Sequence, residues 1–309
     1  MPSPAPIDAV YTWVDGSRPD YRALLDRYSG RPSDLNPERF RDPCDLLRHS
    51  LRSLALHAPW VRHVYVFTCR PQVPAWLHRE HPRLRLVHHD EVGADPAALP
   101  TFNSNVIESW LHLLPGISDR FLYFNDDYFL GAPVTPADFV APDGRLKVFG
   151  TLCGERLRSR VYERQLLSFG LVEHGPVLID RAEWAAMQTA APADYAALRT
   201  HRFRRPDDLR SDRLYRWHLL TRCRDRAVAE PCWRYLRYAQ FVKITRDPAR
   251  LARDLATLRR RRPKFFCLND DQGDHPNPAC LAAVRTLLAE FYPHPGPFET
   301  PAAPPAATP

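Results

Sequence analysis

The chain has 309 residues, 44% hydrophobic, with 7 Trp, 12 Tyr and 15 Phe, enough apolar material for a sizeable core; intrinsic disorder is excluded as its overall state. No run approaches the roughly 18 uncharged apolar residues of a membrane span, and the start MPSPAPIDAV lacks a basic then apolar leader, so a cytoplasmic location is expected. The net charge of +7 is clustered, in Arg202, Arg204, Arg205 and Arg210 and again in Arg259 to Arg262, which suits polyanions; no nucleic-acid motif accompanies it.

In chain order, residues 7–14 (IDAVYTWV) predict a buried β-strand ending in the Asp15-Gly16 turn. Residues 45–57 carry Leu46, Leu47, Leu51 and Leu54 at helical spacing before Pro59. Residues 61–68 and 84–88 predict strands, 104–114 a helix, and 121–124 a strand delivering Asn125, Asp126 and Asp127 at its carboxyl end. Such alternation implies an α/β fold with a mostly parallel sheet, whose ligands gather at the carboxyl ends of strands. Residues 178–187 and 212–223 read as helices, and 228–242 is ambiguous between helix and strand. After Pro263 a strand-like start runs into a polar turn, 280–291 is an amphipathic helix, and the Pro/Ala-rich residues 296–309 are expected to be disordered. Seven cysteines without a CxxC pair read as reduced, mostly structural thiols.

Adjacent carboxylates after an apolar strand, as in FLYFNDDYFLG, suit a hard divalent cation that takes oxygen ligands and leaves room for phosphates. The alternative for one such turn is that Asn125 and Asp126 cap backbone amides. A second copy, CLNDDQGD, brings Asn269, Asp270 and Asp271 and favours the metal; as a calcium loop it lacks the twelfth-position Glu. His174 and Glu108 are candidate general bases. Arg48 and Arg52, four apart on one helical face, and His201, Arg202 and Arg204 are candidate phosphate clamps, with surface exposure the plain alternative. The chain has no GxxxxGK[ST], GxGxxG or GxSxG.

Four blocks in order resemble the conserved regions of the Stealth family of sugar phosphotransferases. They are IDAVYTWVDGS; RFRD through LRHSLRSLALHAPWVRHVYVFT and LPTFNSNVIESWLH to RFLYFNDDYFLG; EHGPVLIDR with THRFRRPDD; and FFCLNDDQGD. The resemblance implies a glycosyltransferase-A-like core, a UDP-sugar donor, a glycan acceptor, Mg²⁺ or Mn²⁺, and release of UMP as a hexose-1-phosphate moves, in cell-surface polysaccharide synthesis. It implies one catalytic domain over residues 1–295, with a nucleotide-sugar core at 7–150 and acceptor-side elements at 151–295. It places Asp15, Gly16, Asn103 and Ser104 on the substrate, Glu108, Asp126 and Asp127 at the reaction centre, Asn269 or Asp270 on the metal, and His174 near the acceptor. Pro43-Cys44, Val177 and the stretch SRVYERQLL depart from the family pattern, which leaves the sugar and acceptor open. A conventional glycosyltransferase releasing UDP and a non-catalytic sugar-nucleotide binder are the rival readings. The Arg clusters add an expectation of peripheral contact with the inner face of the membrane.

Overall fold

The computed structural model describes residues 5–29, 41–92, 96–151, 170–171, 175–230 and 232–301. The chain opens with β1 (Ile7–Thr12), α1 (Pro19–Ser29), α2 (Leu46–His57), β2 (Val64–Thr68), β3 (Leu84–His88), α3 (Ser104–Ser109) and β4 (Arg120–Asn125). β1 and β2 are buried along nearly their whole length, the pattern of strands covered on both faces by helices. α2 supplies one cover through Leu47, Leu51 and Leu54.

β5 (Tyr128–Leu130), β6 (Leu146–Thr151), β7 (Gly170–Leu171) and β8 (Val177–Asp180) follow, then α4 (Arg181–Thr189), α5 (Pro192–Arg199), α6 (Ser211–Arg222) and β9 (Ala227–Glu230). The chain continues through α7 (Cys232–Tyr238), β10 (Ala239–Ile244), α8 (Pro248–Arg261), β11 (Phe265–Asp270) and α9 (Pro278–Phe291). The main sheet runs β3-β2-β1-β4-β8, parallel except for β8, so the expected mostly parallel sheet flanked by helices is what forms. Because Thr12 pairs with Asn125, the carboxyl ends of β1 and β4 emerge side by side.

A second sheet, β10-β11-β5, pairs β5 antiparallel to β11 with Tyr128 opposite Cys267. The chain therefore passes from the first sheet to the second at Asp126-Asp127, and β11 brings the second acidic turn to the same place. Leu251, Leu255 and Leu258 of α8 and Val284, Leu287, Leu288 and Phe291 of α9 form the apolar layer against this sheet. A third sheet orders β7-β6-β9.

Three expectations are corrected and one left open is resolved. Residues 178–187 are not one helix: Val177–Asp180 pairs antiparallel with β4, and Asp180 then accepts hydrogen bonds from Ala182 N and Glu183 N to cap α4. The ambiguous 228–242 stretch holds all three of β9, α7 and β10. The expected disorder does not begin at residue 296. Phe298 is buried, its carbonyl accepts from His78 N at 2.8 Å, and Thr300 N donates to Trp76 O at 2.8 Å. The helix expected over 104–114 ends at Ser109, and a single 3₁₀ turn follows at Leu111–Leu113.

Candidate active site

The two acidic turns meet. Asp127 Oδ2 accepts from Asn269 Nδ2 at 3.2 Å and from Cys267 Sγ at 3.1 Å, and the Asp127 carbonyl accepts from Leu268 N at 3.0 Å. Burial first, and the neighbouring Asp127 second, push the Cys267 thiol far above its ordinary range, so it stays protonated and donates. Asp127 Oδ1 is buried with no hydrogen-bond partner. Asp126 keeps partial exposure to the cleft, yet burial, then Asp127 and Asp42, drive its carboxyl well above the usual range. Adjacent acids in such surroundings are relieved either by protonation or by a bound cation.

They line a cleft of about 360 Å³ together with Ser104, Glu108, Tyr123, Asn125, Arg41, Arg204, Arg210, Asp212, Arg216, Asn269 and Asp270. α3 delivers Glu108, whose Oε2 is buried and unpartnered. Burial first and Asp212 second push Glu108 up to about 8, against the pull of Arg204 and Arg210. The Tyr123 hydroxyl lies 3.3 Å from Glu108 Oε1 and 2.6 Å from Asn125 Oδ1, and its single proton can serve one acceptor at a time. Asn125 Nδ2 donates onward to Tyr128 Oη at 3.2 Å, so a polar chain links Glu108 to the acidic turn.

Arg204 donates to Ser104 Oγ, which brings the 201–208 loop to the head of α3. Asp270 is less open than expected of a metal ligand. Its Oδ2 is held by Arg41 Nε at 2.7 Å and its Oδ1 by Gln272 N at 3.2 Å. Gly273 closes this turn at φ 61°, a left-handed position that glycine adopts without strain, and its carbonyl takes Arg41 Nη1 at 2.7 Å.

Several expected substrate contacts have structural partners instead. Arg48 and Arg52 do not line the cleft: their Nε atoms lie 2.6 and 2.5 Å from the buried Glu299 carboxylate. Arg202 donates to Pro100 O and Ala97 O and lies over the Tyr28 ring. His201 Nδ1 is 2.6 Å from Asp208 Oδ1. Asn103, fully buried, caps α3 through Asn105 N and donates to Asp208 Oδ2 at 2.6 Å. Asp15 and Gly16 follow Trp13 and Val14 of the cleft wall in a turn where the Asp15 carboxylate accepts from Ser17, and the Asp15 N–H and carbonyl bond the Oε1 and Nε2 of the Gln72 side chain. His174 lies outside the described residues.

Three conserved regions of the Stealth proteins match the chain: region 1 over 5–32, region 2 over 39–148 and region 4 over 256–309. Exopolysaccharide phosphotransferases of Streptomyces coelicolor and Nocardia farcinica are 38% and 34% identical over 95% and 96% of this chain and 52% and 62% of their own lengths. The enzyme named CpsY of Mycobacterium tuberculosis is 34% identical over 95% of the chain and 58% of its own length. The chain belongs to the Stealth family. This Stealth chain spans about half the length of the curated relatives it matches. Among solved structures, the galactosyltransferase LgtC with donor and acceptor sugar analogs gives a TM-score of 0.47 at 11% identity, covering 93% of this chain and 95% of that one. The glycosyltransferase GlyE of Streptococcus pneumoniae TIGR4 gives 0.46 at 10% identity, covering 93% and 60%.

The Stealth blocks pass through cleft residues that pattern reading did not single out. Arg41 of RFRD lines the cleft, and its neighbour Asp42, outside the lining, accepts from Leu46 N at 2.6 Å and is pushed up to about 6, chiefly by burial. Asp212 and Arg216 reach the cleft from α6, where a spacing of four on an otherwise ordinary helix was the only signal. No helix among the described residues is long and apolar enough to cross a membrane.

Proposed function

We propose that this chain transfers a sugar-1-phosphate, with N-acetylglucosamine-1-phosphate the first candidate, from a UDP-sugar to a hydroxyl of a glycan acceptor, releasing UMP, in cell-surface polysaccharide synthesis. One observation carries the reading: Asp127, whose Oδ1 is buried and unpartnered, lines a cleft that also holds Asp126 and four arginines. Oxygen donors of this kind fit Mg²⁺ or Mn²⁺, held by Asp126 and Asp127 with Asn269 at its side. When bound, such an ion supplies neutralisation of the donor's diphosphate charge.

The chain's own groups supply the rest. Arg204, Arg210 and Arg216 line the cleft and compensate phosphate charge. Glu108, raised to about 8, holds its proton at neutral pH and becomes the acceptor for the proton of an attacking hydroxyl as pH rises toward 8, with the Tyr123 hydroxyl beside its Oε1. The names of the relatives, exopolysaccharide phosphotransferases, agree with this chemistry.

The test is incubation with UDP-N-acetylglucosamine, Mg²⁺ and a panel of oligosaccharide acceptors, with identification of the released nucleotide and ³¹P NMR of the product. UMP with a phosphodiester is the expected result. UDP with a plain glycoside overturns it in favour of glycosyl transfer.

A further inference from the structure

Away from the cleft, three side chains of different chemistry converge at the junction of α4 and α6. Glu183 Oε2, His218 Nε2 and Cys223 Sγ lie 3.2, 3.0 and 3.3 Å apart as the Glu–His, Glu–Cys and Cys–His pairs. Glu183 comes from the first turn of α4, His218 from the last turn and a half of α6, and Cys223 is the residue that caps α6, its own N–H bonded to Leu219 O. None of the three lines the cleft.

We infer that Glu183, His218 and Cys223 form a second metal site, for Zn²⁺ or a similarly thiophilic divalent ion, with water in the fourth position. A tetrahedral zinc, with bonds of about 2.0 to 2.1 Å to nitrogen and oxygen and about 2.3 Å to sulfur, sets its ligand atoms about 3.3 to 3.6 Å apart. The observed Glu–His and Cys–His separations need to open by about 0.2 Å and the Glu–Cys separation by about 0.6 Å. His218 and Cys223 are mostly buried, so the ligands are preset by packing rather than gathered from solvent. Arg226 Nη1 donates to Glu183 Oε1, which orients the carboxylate and leaves Oε2 turned toward the other two ligands. The sulfur and imidazole donors set this site apart from the carboxylate oxygens of Asp126 and Asp127 in the cleft, which suit hard ions.

Coordination forms the sulfur–metal bond and releases the Cys223 thiol proton to solvent. The site sits at one end of α6, whose first half carries Asp212 and Arg216 into the cleft. A metal there fixes α6 to α4 and steadies those two side chains.

The experiment uses the full chain after chelation, given Zn²⁺ or Co²⁺ alone. Expected are a thiolate-to-cobalt charge-transfer band that saturates at one ion per Cys223, beside any ion taken by the cleft, and at least about tenfold slower alkylation of Cys223 by iodoacetamide with zinc present, read by mass spectrometry. Cys223→Ser and His218→Gln lose the band, while Asp127→Asn keeps it, which separates this site from the cleft. Absence of the band in the unsubstituted chain, its persistence in Cys223→Ser, or alkylation unaffected by zinc overturns the proposal. The alkylation readout needs no variant and stands even if the substituted chains misfold.

Discussion

Glu299→Gln isolates the clamp that Arg48 and Arg52 make. The wild-type carboxylate, 3% exposed, takes Arg52 through Nε and Nη2 at 2.5 and 2.8 Å and Arg48 at 2.6 Å, and also accepts from Gly296 N at 2.7 Å. Burial pushes this carboxyl up, but Arg52, the Gly296 amide and Arg48 together outweigh it and hold the group at about 2, against an ordinary 4.5. That drop is equivalent to about 3 kcal/mol of preference for the ionised form. Arg48 is a third exposed, so solvent screening lowers the expected loss to about 2 kcal/mol at pH 7. The depressed value means the stabilisation is present above about pH 4.5 and fades as pH falls toward 2. Thermal and urea unfolding of both chains at pH 7 and pH 3.5 should show a gap of several degrees that narrows in acid, with the donor KM unchanged at pH 7. An unshifted midpoint at pH 7, or a donor KM raised severalfold in a stably folded variant, refutes the assignment of these arginines to the C-terminal segment.

Asp127→Asn keeps acceptor geometry for Cys267 and Asn269 but removes the charge, and turnover should fall on the order of 10²- to 10³-fold with unchanged circular dichroism; turnover within threefold contradicts the metal assignment. Glu108, raised to about 8 from 4.5, has its stabilising protonated form fully present below pH 4.5 and lost progressively toward pH 8. Glu108→Gln should therefore match the metal-free wild type in melts at pH 4.5 and exceed it at pH 8.5 by on the order of 2 to 4 kcal/mol, while abolishing the rise of rate with pH. Asn103→Ala removes the cap of α3 and the bond to Asp208, at a cost of about 2 to 3 kcal/mol in unfolding, and should raise the donor KM by loosening Arg204 beside Ser104.

Local pattern was enough for the elements whose hydrophobic period is long or bounded by breakers. α2, closed by Pro59, β3 at 84–88, and α9, with Pro278 at its start, fall within a residue or two of expectation. Pattern failed at Val177–Asp180, because a short apolar run has the same appearance in a strand and in the helix that follows; pairing with β4 decided it. The acidic residues of the cleft were legible because two apolar strands each end in Asn-Asp-Asp, and strand ends are where an α/β sheet exposes polar groups. Their convergence, Asp127 against Asn269 across 142 residues, was not, since it depends on β5 crossing to β11. Charge likewise does not reveal its partner in sequence. Arg48, Arg52 and Arg202 have the composition of a phosphate clamp, yet Glu299 and backbone carbonyls far along the chain take them, while Arg41, Arg210 and Arg216 reach the cleft. Residue type and period thus determine which segments become strands, helices and polar turns; which charges meet a ligand and which meet each other is settled by long-range packing alone.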